Sequence, residues 1–313
     1  MSTPSSTGQA QPAQALLREG LALLLTLVIG ALLVALIVFA PQSFANFGYN
    51  TAGGFPTYIA SVRGFFGGLL QGRLAAPAAN PGAWRLLTEA ARRTVELLVA
   101  SMLVATPLGI AWGGLMASVR RRGVRALLFG LNTLMLSLPT VAVLLLAIEA
   151  VANITLRTGV QLTYVQGYGL DKHLILPAGT LVLRGAAYLA RALQIAHDDV
   201  LRQEWIRAAR ARGLGGLGLW RRHVLPALRL PAIGALMGML RVMVSGIIIV
   251  EYISGWNGLG RRMIDFEPNA GARPENAIAV AAALVLVVVF VLLDRAGQLA
   301  QRFADPSLRG RPK

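Results

Sequence analysis

Long stretches free of charged side chains alternate along this chain with short polar intervals, and their lengths predict its main elements. A helix crosses a bilayer when about 20 consecutive residues are predominantly apolar. Residues 21–40 supply twenty with no charge. Residues 97–119 and 126–147 are the second and third runs. Residues 174–196 form a fourth, interrupted by Arg184 and Arg191, and 230–252 a fifth that contains Arg241. Residues 277–293 are the sixth, seventeen residues without one polar side chain. The pattern predicts an all-α integral membrane protein with six transmembrane helices. An even number of crossings leaves both termini on the same side.

The intervals complete the organisation. Residues 1–15 are rich in Ser, Thr, Pro, Gln and Ala and predict a disordered tail; 301–313 form a second tail, of which 305–313 look the same. Between them, 16–300 read as a single transmembrane domain. The first run has a second reading as a cleaved signal peptide, with Ser43-Phe44-Ala45 before the cut. Its apolar core exceeds the roughly 7–15 residues of a signal core, and only Arg18 precedes it. An uncleaved helix therefore fits better. Residues 41–90 carry Gly, Pro and Asn around two apolar clusters, Tyr58-Ile59-Ala60 and Phe65 to Leu70, and predict an external loop with a short surface-lying helix. Residues 197–229 form the longest interval on the opposite side.

Composition narrows the class. Of 313 residues, 55% are hydrophobic and 14% charged, against about 25% charged in soluble domains. Mean hydropathy is +0.60. With no cysteine, the chain has no disulfide framework and no thiolate-held metal. The net charge of +16, carried by 28 arginines and two lysines, would suggest nucleic acid in a soluble protein. Here the basic residues are dispersed over several loops without one stripe of interleaved aromatics, which argues against a nucleic-acid partner. Their distribution sets orientation instead. With a cytoplasmic N-terminus, inner segments hold 18 Lys and Arg, outer segments ten, and Arg184 and Arg241 lie within spans. Both termini are therefore predicted to be cytoplasmic.

Catalytic motifs are lacking. There is no Gly-x-x-x-x-Gly-Lys-[Ser/Thr] loop for phosphates, no His-Glu-x-x-His and no Gly-x-Ser-x-Gly. His173, His197 and His223 lie far apart at or between span ends, the pattern of interfacial residues more than of metal ligands. The chain reads as a non-enzyme without a metal site or bound cofactor.

The inner interval holds the strongest local signal, His197-Asp198-Asp199-Val200-Leu201-Arg202-Gln203-Glu204-Trp205-Ile206-Arg207-Ala208-Ala209-Arg210-Ala211-Arg212-Gly213. Asp198 or Asp199 suits a helix N-cap, and Gly213 a left-handed C-terminal stop. About four turns of helix are expected between them, with Leu201, Trp205, Ala208 and Ala209 on one stripe. Spacing alone leaves two readings. One is an amphipathic helix on lipid headgroups, anchored by Trp205; the other is a docking helix whose small residues let a second surface approach closely.

A resemblance favours the second. Ala208-Ala209, then Gly213, nine residues, and His223-Val224-Leu225-Pro226 resemble the signature loop of ABC-transporter membrane subunits, Glu-Ala-Ala, three residues, Gly, nine residues, Ile-x-Leu-Pro. Arg207 and His223 follow the variant of the oligopeptide/dipeptide branch. Leu174-Ile175-Leu176-Pro177, Tyr188-Leu189-Ala190-Arg191 and Val200-Leu201-Arg202-Gln203 are similar to the same branch. Glu251 through Trp256, Gly258-Leu259-Gly260 and Arg261 match a further segment, with Asn257 where proline is usual. The likeness is strong over about 97–300. It implies the permease fold of an ABC importer and a short coupling helix between the fourth and fifth spans. It also implies a second permease subunit, two ATPase subunits that hold ATP and Mg, an external substrate-binding protein and the bacterial inner membrane. Trp205, Arg207, Ala208, Ala209, Gly213, Leu225 and Pro226 become the coupling residues.

Polar groups within the spans are the candidates for a substrate path: Asn132, Ser137, Arg184, Arg241 and Glu251. An arginine near mid-bilayer costs about 2.5–3.5 kcal/mol on insertion scales, so Arg184 and Arg241 are expected to face protein or water. Glu149 and Glu251 are their expected acid partners. A lining for a peptide carboxylate and an intersubunit ion pair explain these arginines equally well. Peptides are the substrate the branch implies. A nickel complex, a sugar, an antimicrobial peptide, or a scaffold without transport are the remaining alternatives.

Overall fold

The computed structural model describes residues 20–22, 24–37, 54–71, 82–264 and 274–304, all helices and connecting turns. In chain order the helices are α1 (Gly20–Ile37), α2 (Gly54–Leu70), α3 (Gly82–Ser118), α4 (Arg122–Ser137) and α5 (Thr140–Thr158). A 3-10 turn at Lys172–Leu174 leads into α6 (Ile175–Arg202), followed by α7 (Glu204–Ala211) and α8 (Gly216–Leu219). A π turn, Trp220–Val224, joins α8 to α9 (Leu225–Ser254), and α10 (Leu259–Ile264) and α11 (Pro274–Ala304) complete the series. Six of these stretches are long and apolar enough to cross a membrane. Residues 1–15 and the 41–53 and 72–81 intervals lie outside the described residues, whereas the first four residues of the expected second tail, 301–304, continue α11.

Two compact units divide the chain. The first comprises residues 1–87 and 265–291. Its described core joins Ala35 of α1, Phe65 of α2 and Val280 of α11, with Tyr58 donating from its hydroxyl to the Leu36 carbonyl at 3.0 Å. The apolar clusters seen in the 41–90 interval thus form one helix, α2, whose apolar side chains meet those of α1 and α11.

The second unit, residues 88–264 and 292–313, contains most of α3, all of α4 to α10 and the end of α11. Its core gathers Leu97, Leu144, Leu181, Leu189, Met239, Met243, Ile247 and Trp256. The two long helices α6 and α9 supply most of it, because each carries apolar residues on more than one side. Helix α3 lies close against α6 at Gly113, where an added Cβ would meet the Ala190 carbonyl oxygen at 2.9 Å. Only glycine permits that backbone-to-backbone approach.

One expected span is displaced. Residues 126–147 were to form the third crossing, but they are split between α4 and α5 at Leu138-Pro139. The reason is steric. The proline ring disfavours a helical residue before it, and Leu138 is extended at φ −69°, ψ 129°. The crossing of sufficient length is Thr140–Thr158. Asn132, Thr133 and Ser137 consequently sit on α4, and Thr140 on α5, not on one common span.

Candidate functional site

The inner interval begins differently from its sequence pattern. Helix α6 continues through Asp198 and Asp199 to Arg202, so neither aspartate caps the next helix. Asp198 is engaged by Arg125 and Gln194 instead. The chain turns at Gln203, extended at ψ 144°, whose carbonyl accepts Ile206 N at 3.1 Å and restarts the helix as α7. Four expected turns are thus divided between the end of α6 and an eight-residue helix. The turn is driven by burial. It carries Ile206 (0% exposed) and Ala209 (6%) onto Val200, Leu219 and Val224, with Leu214 and Ala227 packed alongside.

That packing corrects the expected stripe. Ile206, which the sequence reading left out, and Ala209 face inward, whereas Trp205 is 43% exposed and Ala208, Arg207 and Arg210 are exposed. The Trp205 ring lies 6.2 Å from that of His223. Helix α7 therefore has one face seated on its own chain and another, bearing Trp205 and Ala208, left open. Glu204 in its first turn and Arg210 in its last suit the helix dipole.

The exit from α7 is closed by hydrogen bonds. Gly213 N donates to the Arg210 carbonyl at 3.0 Å and Leu214 N to the Ala209 carbonyl at 3.2 Å, the paired bonds of a Schellman stop. Gly213 has φ +82°, a conformation that costs a residue with a Cβ about 1–2 kcal/mol. Further on, Leu225 N reaches back five residues to Trp220 O. Pro226 has no amide hydrogen, and in a regular helix its ring would collide with the carbonyl four residues earlier. The widened π turn removes that conflict. Leu225 and Pro226 are exposed and shape the start of α9, while Val224 makes the contact with α7.

The polar residues within the spans do not converge. Asn132 on α4 is 1% exposed and accepts Trp112 Nε1 at 3.1 Å. Ser137 is exposed and donates to the Thr133 carbonyl at 2.8 Å. Arg184 donates to Thr140 Oγ1 at 2.9 Å and reaches the Leu138 carbonyl at 3.5 Å, filling the break between α4 and α5. Arg241 pairs with Asp294 of α11. Neither arginine meets its expected acid: Glu149 is bonded to Asn153 Nδ2 at 2.8 Å, and Glu251 is enclosed elsewhere. Asp294 is the partner missed. It directly follows the sixth apolar run, where a charge reads as the end of a span and not as a mate for α9.

Glu251, 0% exposed, holds the C-terminal end of α9 together. Its Oε1 accepts Thr94 Oγ1 at 2.7 Å and its Oε2 accepts Gly260 N at 2.6 Å, while Leu259 N donates to Thr94 Oγ1 at 2.8 Å. The first amides of α10 are thereby satisfied. Trp256, fully buried, donates from Nε1 to the Arg93 carbonyl at 2.9 Å. Tyr168 stacks edge-on against it at 4.8 Å and donates to Glu96 Oε2 at 2.7 Å. That hydrogen bond, followed by partial desolvation, raises the Tyr168 phenol above its ordinary value. A carboxylate with both oxygens taken in this way is a structural brace.

The sequence model described as binding-protein-dependent transport system inner membrane component matches residues 107–309, which include all of α7 and its flanks. The chain belongs to that family. It is an ABC importer permease subunit, and membership implies separate ATPase and substrate-binding partners. Among similar proteins, the oligopeptide transport system permease protein OppB of Mycobacterium tuberculosis is 31% identical over 251 residues, covering 75% of this chain and 74% of the relative. The glutathione transport system permease protein GsiC of Escherichia coli K12 is 27% identical over 218 residues, covering 69% and 68%. Both relatives are transport permeases. Among solved structures, a chain of the inward-facing MetNI methionine ABC transporter aligns with a TM-score of 0.57 at 18% identity, covering 72% of this chain and 99% of that one. A chain of an amino acid ABC transporter crystallised with histidines gives 0.56 at 19%, covering 70% and 94%. These likenesses carry the permease fold. A membrane-spanning permease with six apolar crossings fits the inner-membrane location that the family description gives.

Proposed function

We propose that this permease takes up peptides, acting beside a second, homologous permease subunit and powered by two ATPase subunits that hold ATP and Mg. The reading rests chiefly on α7. It is seated on the chain by Ile206 and Ala209, ended by Gly213, and leaves Trp205 and Ala208 open for a partner surface. Ala208 and Ala209 allow close approach, Trp205 offers an apolar anchor and Arg207 a charge at the rim. ATP-driven closure of the ATPase pair would press on α7 and tilt the spans attached to it, opening the path alternately to each side. The excess of basic residues in the inner intervals supports cytoplasmic termini and a cytoplasmic α7.

Peptide as cargo is supported by relatives that bear oligopeptide and glutathione permease names. Ser137, Arg184 and Arg241 retain exposed or half-exposed polar side chains and are the residues proposed to line the path. Arg184 and Arg241 would offer positive charge to a peptide carboxylate. Asn132 and Glu251 are too enclosed for that role.

The test uses the assembled complex in proteoliposomes with a labelled short peptide. Ala208→Glu places charge on the open face without touching the buried one. It should lower ATP-dependent uptake about tenfold or more, the scale of ordinary coupling energies, and release the ATPase on purification. Membrane insertion should be unaffected. Full uptake with the ATPase retained would remove the coupling role, and binding of a non-peptide cargo alone would remove the substrate.

A further inference from the structure

Helix α6 grips α4 at both ends. At the inner end, Arg125 Nη2 of α4 meets Asp198 Oδ2 of α6 at 2.8 Å. Asp198 Oδ2 also accepts Gln194 Nε2 at 2.6 Å, and Gln194, itself buried, accepts Arg191 Nη1 at 3.2 Å. The Phe129 ring of α4 lies beneath both cations, with Arg191 4.8 Å and Arg125 5.6 Å from its centroid. His197 Nδ1 approaches the other Asp198 oxygen at 3.7 Å. At the other end, Arg184 of α6 reaches Leu138 O at the close of α4 and donates to Thr140 Oγ1 at the start of α5. Leu128 of α4 packs with Ala190 of α6 between the two points.

The spacing makes this a strap along the full length of α4. Residues 184 and 198 are 14 apart, about 21 Å along a helix at 1.5 Å per residue. Helix α4 has 16 residues, about 24 Å. The inner attachment lies about one turn before the α6–α7 bend at Gln203. A displacement of α7 first reaches the end of α6 that bears Asp198.

We infer that Arg125 and Asp198 are a positioning pair which makes α4 follow α6, so that force on α7 moves both helices as one body. This rests on the reading of α7 as the coupling helix. The pair is half-exposed and its bonds join α4 to α6, so it lies apart from the Trp205 and Ala208 face proposed for docking.

Three versions of the complex test it: Asp198→Asn, the reversed pair Arg125→Asp with Asp198→Arg, and Arg125→Cys with Asp198→Cys. The chain has no cysteine of its own, so within this subunit a short thiol-reactive bis-maleimide addresses that pair alone. Asp198→Asn should keep the ATPases bound and hydrolysing, while peptide taken up per ATP consumed falls about fivefold or more. The reversed pair should recover at least half of that ratio. Cross-linking the cysteine pair should raise the ratio several-fold over the same protein before cross-linking. An unchanged ratio in Asp198→Asn overturns the inference, as does a cross-link that stops uptake, because the helices would then have to part during transport. If Asp198→Asn does not fold, the cysteine pair before and after cross-linking decides alone. Failure of the α7 reading shows differently, as a wild-type complex that retains no ATPase.

Discussion

Single residues in this permease are decided by partners that lie far away in sequence. Glu251 stands in an apolar span, and an ionisable group there reads as functional; its mates Thr94 and Gly260 become visible only in three dimensions. Glu251→Ala should strip acceptors from a buried hydroxyl and a buried amide, about 1–3 kcal/mol for each group left unpaired. A clear drop in the thermal unfolding midpoint in detergent is expected, and an unchanged midpoint would contradict the brace. Tyr168 supplies a pH test with a definite sign. Its raised phenol is stabilising while protonated, so that contribution is complete below the ordinary tyrosine value of about 10 and fades as pH climbs through the higher folded value. Tyr168→Phe should remove this alkaline component from the unfolding profile, measured by tryptophan fluorescence between neutral and strongly alkaline pH.

At the scale of elements, stop signals were more legible than faces. Gly213 marks the end of α7 in sequence and in structure, because a left-handed residue is a local requirement. Pro139 also carries its own signal, although the hydropathy run passes over it and hides the α4–α5 break. The start of α7 was not legible. No capping residue announces Gln203, and the bend exists because Ile206 and Ala209 find Val200 and Val224. The inward face of so short a helix depends on that tertiary contact, which is why spacing alone chose Ala208 and omitted Ile206. Cysteine labelling distinguishes the two faces. In the permease freed of its ATPases, Ala208→Cys should react readily with a maleimide, and Ala209→Cys at least about tenfold more slowly, in keeping with an opening cost above 1.4 kcal/mol. Equal rates would mean that α7 is not seated as described.

For the molecule as a whole, the number of crossings could be read from hydropathy, since a bilayer sets helix length almost irrespective of fold. How charges are neutralised inside it could not, and Arg241 with Asp294 shows why: the two lie on different helices, 53 residues apart. Orientation is testable with a membrane-impermeant thiol reagent. Gln161→Cys should label from outside intact cells and Arg121→Cys only after the membrane is opened; the opposite result would invert the topology. The brace at Glu251 bears on how such a permease is made. Thr94 leaves the ribosome 157 residues ahead of its acid. At about 5–20 residues per second, that is a wait of roughly 8–30 s. A truncated polypeptide never receives the missing carboxylate, so its outer rim stays unlatched and offers proteolytic surveillance a chemical difference between aborted and finished copies.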